Sequence, residues 1–167
     1  EYMKESDETA AYVTALEQNG AEAIIITESH TLFLGGALLQ LNNATVEYDY
    51  DPSNNSSLIT TIRHGDMNLL FTGDIEKERI NDWLNQRVHI ETDYDFLKVP
   101  HHGKYEKILP EFFEKVNAEY AVITSSNKNP EEMETLEALK DAGVKYYLTK
   151  NGEIYLESNG KKLVIKQ

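Results

Sequence analysis

The chain has 167 residues, 40% of them hydrophobic and 27% charged, and a formal net charge of −13 at pH 7. This composition is that of one folded domain and argues against disorder. The negative charge argues against generic nucleic-acid binding, which depends on Lys and Arg, but not against a phosphodiesterase whose metal ions neutralise phosphate locally. The sequence contains no cysteine, so disulfides and thiolate ligands are excluded and any metal must be held by His, Asp or Glu.

The N-terminal third is predicted to be rich in strands. Ser6 or Asp7 can cap a helix that ends at Asn19-Gly20. Apolar or β-branched runs follow, and then a polar stretch that contains a proline. The predicted strands are Ala23–Thr27, Leu38–Leu41 and Ala44–Tyr48, with a small hairpin element at Thr31–Gly36 and a loop at Asp49–Ser56.

The rest of the chain alternates between strand and helix, which predicts an α/β (α+β) domain with a mixed sheet and flanking helices. The predicted strands are Ser57–Arg63, Asn68–Thr72, Phe96–Val99, Tyr120–Thr124 and Val144–Thr149. The predicted helices are Ile75–Gln86, Leu109–Val116 and Glu131–Ala142, and Ile154–Ile165 is predicted to be a hairpin. Because no linker divides the chain, residues 1–167 are expected to form a single domain. No run is apolar enough to span a bilayer, so we expect a soluble domain of unassigned compartment, cytoplasmic or extracytoplasmic.

Two of the predicted buried strands end in metal-ligand chemistry. Asp74 follows the strand Asn68–Thr72, and the pair His101-His102 follows the strand Phe96–Val99. Sites in layered α/β proteins form where the carboxyl ends of strands converge. An Asp with a His suits a divalent ion such as zinc, iron or manganese. The sequence therefore predicts part of a metal site.

Other interpretations of these residues stay open at this point. Asp74 precedes a predicted helix, so it is also a candidate N-cap, and a carboxylate with two oxygens can serve both roles. The two histidines are also compatible with an ordinary loop. Lys98 lies inside the strand before them, and we interpret it as a snorkelling edge residue in preference to a catalytic cation.

The order of these motifs resembles that of a known family. The motifs are Asn54-Asn55-Ser56-Ser57-Leu58, Leu70-Phe71-Thr72-Gly73-Asp74, Leu97-Lys98-Val99-Pro100-His101-His102-Gly103 and Ala121-Val122-Ile123-Thr124-Ser125. This series resembles the metallo-β-lactamase fold superfamily, in the branch related to the ComEC competence protein of bacteria. The resemblance implies an αββα sandwich with a dinuclear metal site at one edge.

The resemblance also implies roles for individual residues. Asp74 matches the bridging carboxylate and His102 the final histidine ligand, because the superfamily places that ligand directly before a glycine. His101 is then a further metal ligand or a substrate contact. The implied cofactors are two zinc ions, with manganese or iron as alternatives, which supply a metal-bound hydroxide as nucleophile. Asp74 and His102 are therefore the predicted catalytic residues.

The sequence departs from the family pattern in two ways. It contains no H-x-H-x-D-H cluster, and His30, His64 and His89 lack the neighbours that would make them substitutes. We therefore expect the chain to be the C-terminal half of such a domain, which associates with a missing N-terminal half or with a second copy. Lys104 stands where the branch often has Ser. The predicted substrate-binding residues are Asn55, Ser56, His101 and Lys104.

The function that the resemblance implies is metal-dependent hydrolysis, most consistent with a phosphodiesterase or nuclease-like enzyme acting on a phosphodiester or another small ester. Lactone or thioester hydrolysis stays open. The alternative is a non-catalytic scaffold or binding module, because this chain supplies fewer family ligands than the three that zinc hydrolases use. The isolated chain is expected to be nearly inactive.

Overall fold

The computed structural model describes residues 6–44, 46–85 and 93–167. The predictions for His89 and for the helix end at Gln86 fall outside these residues. The helices are α1 (Asp7–Gln18), α2 (Pro52–Asn55), α3 (Lys77–Asn85), α4 (Leu109–Val116) and α5 (Met133–Asp141). The strands are β1 (His30–Leu34), β2 (Ala37–Asn42), β3 (Ile59–His64), β4 (Met67–Phe71), β5 (Phe96–Lys98), β6 (Tyr120–Ile123), β7 (Lys145–Leu148), β8 (Tyr155–Ser158) and β9 (Leu163–Lys166).

Within the described residues, seven strands form one mixed sheet in the order β1 to β7. Strands β1 to β4 are antiparallel neighbours, because short turns at Gly35-Gly36 and Gly65-Asp66 join two of the three pairs. Strands β4 to β7 run parallel, since α3, α4 and α5 lie in the connections between them. The predicted mixed α/β architecture is therefore confirmed.

One face of the sheet carries the main hydrophobic core. The α4 residues Leu109, Phe112, Phe113 and Val116 repeat at helical spacing, and all four are fully buried. They pack with apolar residues of α3 and α5 against inward-facing side chains of β4, β5 and β6. Those strand residues are Leu70, Leu97, Ala121 and Ile123. The core thus lies beneath the strands that carry the predicted site.

The opposite face is covered by the hairpin of β8 and β9. Leu69, Phe96 and Val122 form a second, smaller core there, with partly buried residues of the hairpin such as Leu156 and Ile165 packed against it. Of the apolar residues further along this face, Leu32 and Leu34 on β1 are 40% and 72% exposed. The cover therefore stops short of the β1 edge.

Three local predictions from the N-terminal third are wrong or incomplete. Residues Ala23–Thr27 form no strand, and Ile24 and Ile25 are 67% and 68% exposed, because this apolar run pairs with no strand in the described part of the chain. The described residues of Ala44–Tyr48 are also not in a strand. The predicted loop at Asp49–Ser56 contains the short helix α2, which Asp51 caps by accepting a hydrogen bond from Asn54 N.

None of the helices in the described part of the chain has the length and apolar character needed to cross a lipid bilayer.

Candidate metal centre

The site is built where two parallel strands end side by side. β4 and β5 pair in register up to Phe71 and Lys98, and the chain turns into the site directly after each strand. The Thr72 hydroxyl donates a 2.7 Å hydrogen bond to Lys98 O, and His101 N donates to Gly73 O at 3.3 Å. These bonds hold the segment that carries Asp74 against the segment that carries the two histidines.

Asp74 and His102 lie next to each other, as the sequence motifs predict. Asp74 Oδ2 is 3.4 Å from His102 Nε2, and the two side chains are 37% and 53% exposed. Two donors bound to one tetrahedral zinc at about 2.1 Å lie about 3.4 Å apart. The separation therefore suits a shared cation that solvent can reach. The roles of both residues as ligands and catalytic groups stay predictions.

The orientation of the His102 ring supports this interpretation. Its Nδ1 lies 2.6 Å from Thr124 O and 3.0 Å from the Thr124 hydroxyl. Because a backbone carbonyl only accepts, Nδ1 must carry the proton and donate it. In the neutral imidazole, Nε2 then presents a lone pair towards the Asp74 carboxylate. This is how ligating histidines are commonly held by a second hydrogen bond.

Both histidines have an unusual backbone. His101 has φ 41° and ψ 51°, and His102 has φ 54° and ψ 20°, so two consecutive residues other than glycine are in or near the left-handed region. Such conformations cost of order 1–3 kcal/mol each and cluster at functional sites. Here the following residues hold the turn, because Lys104 N donates to His101 O and Glu132 N donates to Gly103 O.

The other carboxylate oxygen of Asp74 faces Lys98. Nζ lies 3.3 Å from Asp74 Oδ1 and donates a 2.7 Å hydrogen bond to Gly73 O. Burial lowers the pKa of Lys98, and the Asp74 carboxylate opposes this shift without cancelling it. The interpretation of Lys98 as a snorkelling edge residue is wrong. Its strand β5 lies between β4 and β6, and its side chain is 16% exposed and points into the site.

Asp74 is not the residue that caps α3. The helix begins at Lys77. The amide of Glu76, just before the helix, and that of Arg79, in its first turn, donate to Asn55 Oδ1 at 3.0 and 3.2 Å. Asp74 N donates to the Ser57 hydroxyl at 3.2 Å, which leaves the carboxylate free for the site. The N-cap interpretation of Asp74 therefore finds no support.

His101 points away from the Asp74 carboxylate towards a second polar cluster. Its Nδ1 lies 2.8 Å from Oε1 of Glu76, a carboxylate that is fully buried. Asn54 Nδ2 donates to the same oxygen at 3.1 Å, and Lys104 Nζ lies 3.5 Å from it. Burial acts to lower the pKa of Lys104, but the charge and the hydrogen bond of Glu76, together with smaller contributions from Tyr50 and Glu106, raise this pKa overall. Glu76 thus holds His101 and Lys104 at one side of the site.

The two remaining predicted substrate-binding residues lie elsewhere. Asn55 is fully buried, with Oδ1 at the start of α3 and Nδ2 donating to Tyr50 O at 2.8 Å. A contact with substrate would require this side chain to leave both sets of bonds. Ser56 lines a separate depression with Ile25, Ala44 and Ser53. Their substrate roles stay predictions that this geometry does not favour.

An open cleft of about 640 Å³ lies beside the Asp74–His102 pair. Its lining includes His101, His102, Lys104, Thr124, Lys128 and Thr149. The cleft combines two lysines, two imidazoles and four hydroxyls with one carboxylate, that of Glu132, so donors suited to an anionic or strongly polar ligand predominate. Beneath it, the buried Glu131 carboxylate pairs with Lys150 at 2.5 Å. Burial acts to raise the pKa of Glu131, but bonds from Lys150 and Ser125 lower it.

The chemistry of the donor set fits a divalent ion but does not complete its coordination. Across residues 6–44, 46–85 and 93–167, no group of three or more His, Cys, Asp or Glu is placed to hold a metal. Asp74 and His102 supply two donors, whereas catalytic zinc takes three from protein. The zinc and metal-binding predictions are therefore unproven, and the ions need further donors.

Sequence reasoning missed several residues of this site. Glu76 looks like an ordinary acidic residue near a helix start, and its burial depends on Asn55 and the histidine turn around it. The position of Thr124 could have been predicted, because it directly follows an apolar strand that is parallel to the strand before His101 and therefore ends at the same edge of the sheet. Ser57 stands in a polar loop where serine is common, so nothing distinguishes it.

No family model matches the chain, but comparison with known proteins shows similarity to a curated protein and to a solved structure. Over 81 residues the chain is 36% identical to ComE operon protein 3 of Bacillus subtilis (strain 168), a match that spans 47% of this chain and 10% of that protein. It also resembles Igni18, described as a novel metallo hydrolase from the hyperthermophilic archaeon Ignicoccus hospitalis KIN4/I. That match has a TM-score of 0.51 and 15% identity, over 93% of this chain and 66% of Igni18.

The fold of the chain resembles that of a metallo hydrolase, and part of its sequence is similar to ComE operon protein 3. The two matches together support the resemblance to the metallo-β-lactamase fold and its ComEC-like branch. The fold and the resemblance predicted from the sequence motifs are thereby confirmed. The chain spans a tenth of the curated relative and 66% of the structural one, so the activity of the whole protein is a matter for proposal.

Proposed function

We propose that this chain is part of a metal-dependent hydrolase that acts on phosphodiesters, in the manner of a phosphodiesterase or nuclease. The observation that carries the proposal is the approach of His102 Nε2 to Asp74 Oδ2 at 3.4 Å. A neutral imidazole whose Nδ1 proton is donated to Thr124 O turns a lone pair towards a carboxylate. That contact is unfavourable unless a cation or a proton lies between the two atoms.

A bound divalent ion would supply a water of lowered pKa as nucleophile and would stabilise charge on the reacting oxygens. Asp74 and His102 would hold the ion, with zinc first and manganese or iron as alternatives, and the resemblance implies a second ion at the same carboxylate. Thr124 would fix the His102 tautomer. Lys104 would attract the anionic substrate to the cleft, and His101, which shares the Glu76 carboxylate with Lys104, would be a second contact there. These roles agree with the donors that line the cleft.

We further propose that the uncovered sheet face is an association surface. Leu32, Leu39 and Ile62 are directly paired across β1, β2 and β3, and this row continues into Leu69 and Phe96 beneath the hairpin of β8 and β9. The covered end is buried, whereas Leu32 is 40% exposed. The covering partner would be the part of a metallo-β-lactamase domain that carries H-x-H-x-D-H, or a second copy. An apolar row on a sheet edge favours such association.

Charge reversal on either side of β1 tests the association. Neighbouring strand residues point to opposite faces, so Leu34→Glu alters the face that carries the hairpin of β8 and β9, and Phe33→Glu alters the face that carries the main core. In sedimentation velocity, Leu34→Glu should abolish association of the protein with its partner or with itself, and Phe33→Glu should not. Equal behaviour of the two variants would contradict the assigned face.

One observation favours a non-catalytic binding module as the second candidate function. The described residues supply two metal donors, one short of a catalytic zinc site. On this view the cleft would bind an anionic partner without turnover. The two candidates differ in one respect that can be measured, which is whether substrate is consumed.

Hydrolysis of bis-p-nitrophenyl phosphate with Zn²⁺ or Mn²⁺ tests the proposed function. The assay uses the protein together with the H-x-H-x-D-H segment that the resemblance implies. Asp74→Ala and His102→Ala should each lower kcat/KM at least 100-fold, consistent with loss of a metal ligand. Asp66→Ala and His30→Ala, which remove the same side chains from an exposed turn and from β1, are the matched controls. Unchanged turnover in Asp74→Ala would reject the assignment. Robust turnover by the isolated chain would show that no further donors are needed.

A further inference from the structure

The two oxygens of the Asp74 carboxylate face different neighbours. Oδ2 is directed at His102 Nε2, and Oδ1 lies 3.3 Å from Lys98 Nζ. A carboxylate that binds metal through both oxygens would have to give up the contact with Lys98. The geometry therefore separates one oxygen that is available to a cation from one that is already engaged.

Lys98 is itself fixed in place by the backbone. Its Nζ donates to Gly73 O at 2.7 Å, the carbonyl directly before Asp74. Its own carbonyl accepts from the Thr72 hydroxyl at 2.7 Å, and β5 keeps its Cα in register with Phe71. The side chain is 16% exposed, so its ammonium has little access to water as an alternative partner. Lys98 is thus tied to both residues that precede Asp74 and to Asp74 itself.

We propose that Lys98 is a positioning residue that reserves Oδ1 of Asp74 for its ammonium, so that the carboxylate would reach metal, whether one ion or two, through Oδ2 alone. The inference rests on the proposed function, in which Asp74 and His102 hold a divalent ion. Carboxylates that bind metal are commonly held by hydrogen bonds from outside the coordination sphere. Lys98 does this with a charged group, which also offsets part of the negative charge next to the ion.

The direction in which metal affinity changes when Lys98 is removed separates a positioning role from simple repulsion of the cation. A lysine that merely repelled the cation would weaken metal binding, and its removal would tighten the binding. A positioning lysine has the opposite effect, since its removal frees the carboxylate to rotate and to leave His102. Loss of such a partner typically weakens metal affinity about 10–100-fold.

The experiment compares the Zn²⁺ affinity of the protein and its variants by competition with a chromophoric chelator, each together with the H-x-H-x-D-H segment used in the hydrolysis assay. Lys98→Met should weaken binding 10–100-fold, and Lys98→Arg, which keeps a charged donor, should recover most of the loss. Lys150→Met is the matched control, because it removes a lysine of similar burial from an ion pair with Glu131 and should leave affinity unchanged. Unchanged or tighter binding in Lys98→Met, or equal loss in Lys150→Met, would overturn the positioning role.

The coordination mode gives a second readout. In a crystal structure of the zinc-loaded protein, Oδ2 should lie within bonding distance of the ion, about 2.0–2.2 Å, and Oδ1 should remain beside Lys98. An ion bonded to both oxygens would overturn the inference and leave the hydrolase proposal intact. Zinc affinity that is undetectable, or that Asp74→Ala leaves unchanged, would reject the proposed function and this inference with it.

Discussion

The described residues before α2 and those after it differ in how their apolar side chains are used. In residues 6–50, α1 buries none of its residues, and Ile24, Ile25 and Phe33 are 67%, 68% and 82% exposed. After α2, the apolar residues of α3, α4 and α5 close a core over β4 to β7. The site therefore rests on the second region, whereas the first carries the exposed apolar surface on which the proposed association depends.

The largest expected difference between the regions comes from one substitution made in both. Phe112→Ala removes a fully buried ring from the core, and Phe33→Ala removes a ring that is 82% exposed on β1. The first should lower the free energy of unfolding by about 3–5 kcal/mol, and the second by less than about 0.5 kcal/mol. Urea unfolding at a protein concentration that keeps the chain monomeric measures both. A similar loss in the two variants would mean that β1 is as well packed as the core.

Arg79 provides a connection between the two regions, and its removal should have an intermediate effect. This residue of α3 is buried, and its Nη2 donates to Asn42 O at 3.2 Å and to Asn43 O at 2.7 Å, at the end of β2. Arg79→Met should cost about 1.5–3 kcal/mol, because the two carbonyls lose a charged donor. Hydrogen exchange should speed up mainly in β1 and β2. Exchange that rises uniformly along the chain would contradict a local link.

The sequence predicted helices and strands correctly where the spacing of apolar residues matches the face that is buried. The α4 pattern at residues 109, 112, 113 and 116 fixes a helix face, and the apolar runs before Asp74 and His101 mark buried strands. Both signals depend on local spacing. The proximity of Asp74 and His102 was also predictable, because parallel neighbouring strands end at the same sheet edge.

The sequence did not predict the structure correctly where secondary structure or burial depends on which distant parts of the chain pack against a segment. Ala23–Thr27 has the composition of a strand, but no described strand pairs with it, so the segment has no regular secondary structure and is largely exposed. Lys98 was misassigned because a lysine in an apolar run suggests an edge, and the position of β5 between β4 and β6 is a property of the whole sheet. The burial of Glu76 and Asn55 was not predictable from local spacing, because it is produced by contacts about 20 to 25 residues distant in sequence.

Each of the two regions contains a side chain that caps a helix, Asn55 in the second region and Ser6 in the first. Asn55 Oδ1 accepts from Glu76 N and Arg79 N inside the protein, and its Nδ2 donates to Tyr50 O. Asn55→Ala leaves these buried groups without partners and should cost about 1–3 kcal/mol of unfolding free energy. The same variant checks the substrate role, because a purely structural residue would lower stability while leaving KM unchanged at temperatures where the protein stays folded.

Ser6 is the corresponding cap in the first region, and its effect should be the smallest. Its hydroxyl accepts from Thr9 N at 3.1 Å at the start of α1, so Ser6→Ala should weaken that helix by about 1 kcal/mol. Because α1 buries no residue, the helix can fray without opening the core, and the global unfolding free energy should change by less than about 0.5 kcal/mol. Faster amide exchange confined to α1, at an unchanged urea midpoint, is the expected result. A lower midpoint would show that α1 unfolds together with the core, and the division between the two regions would then be wrong.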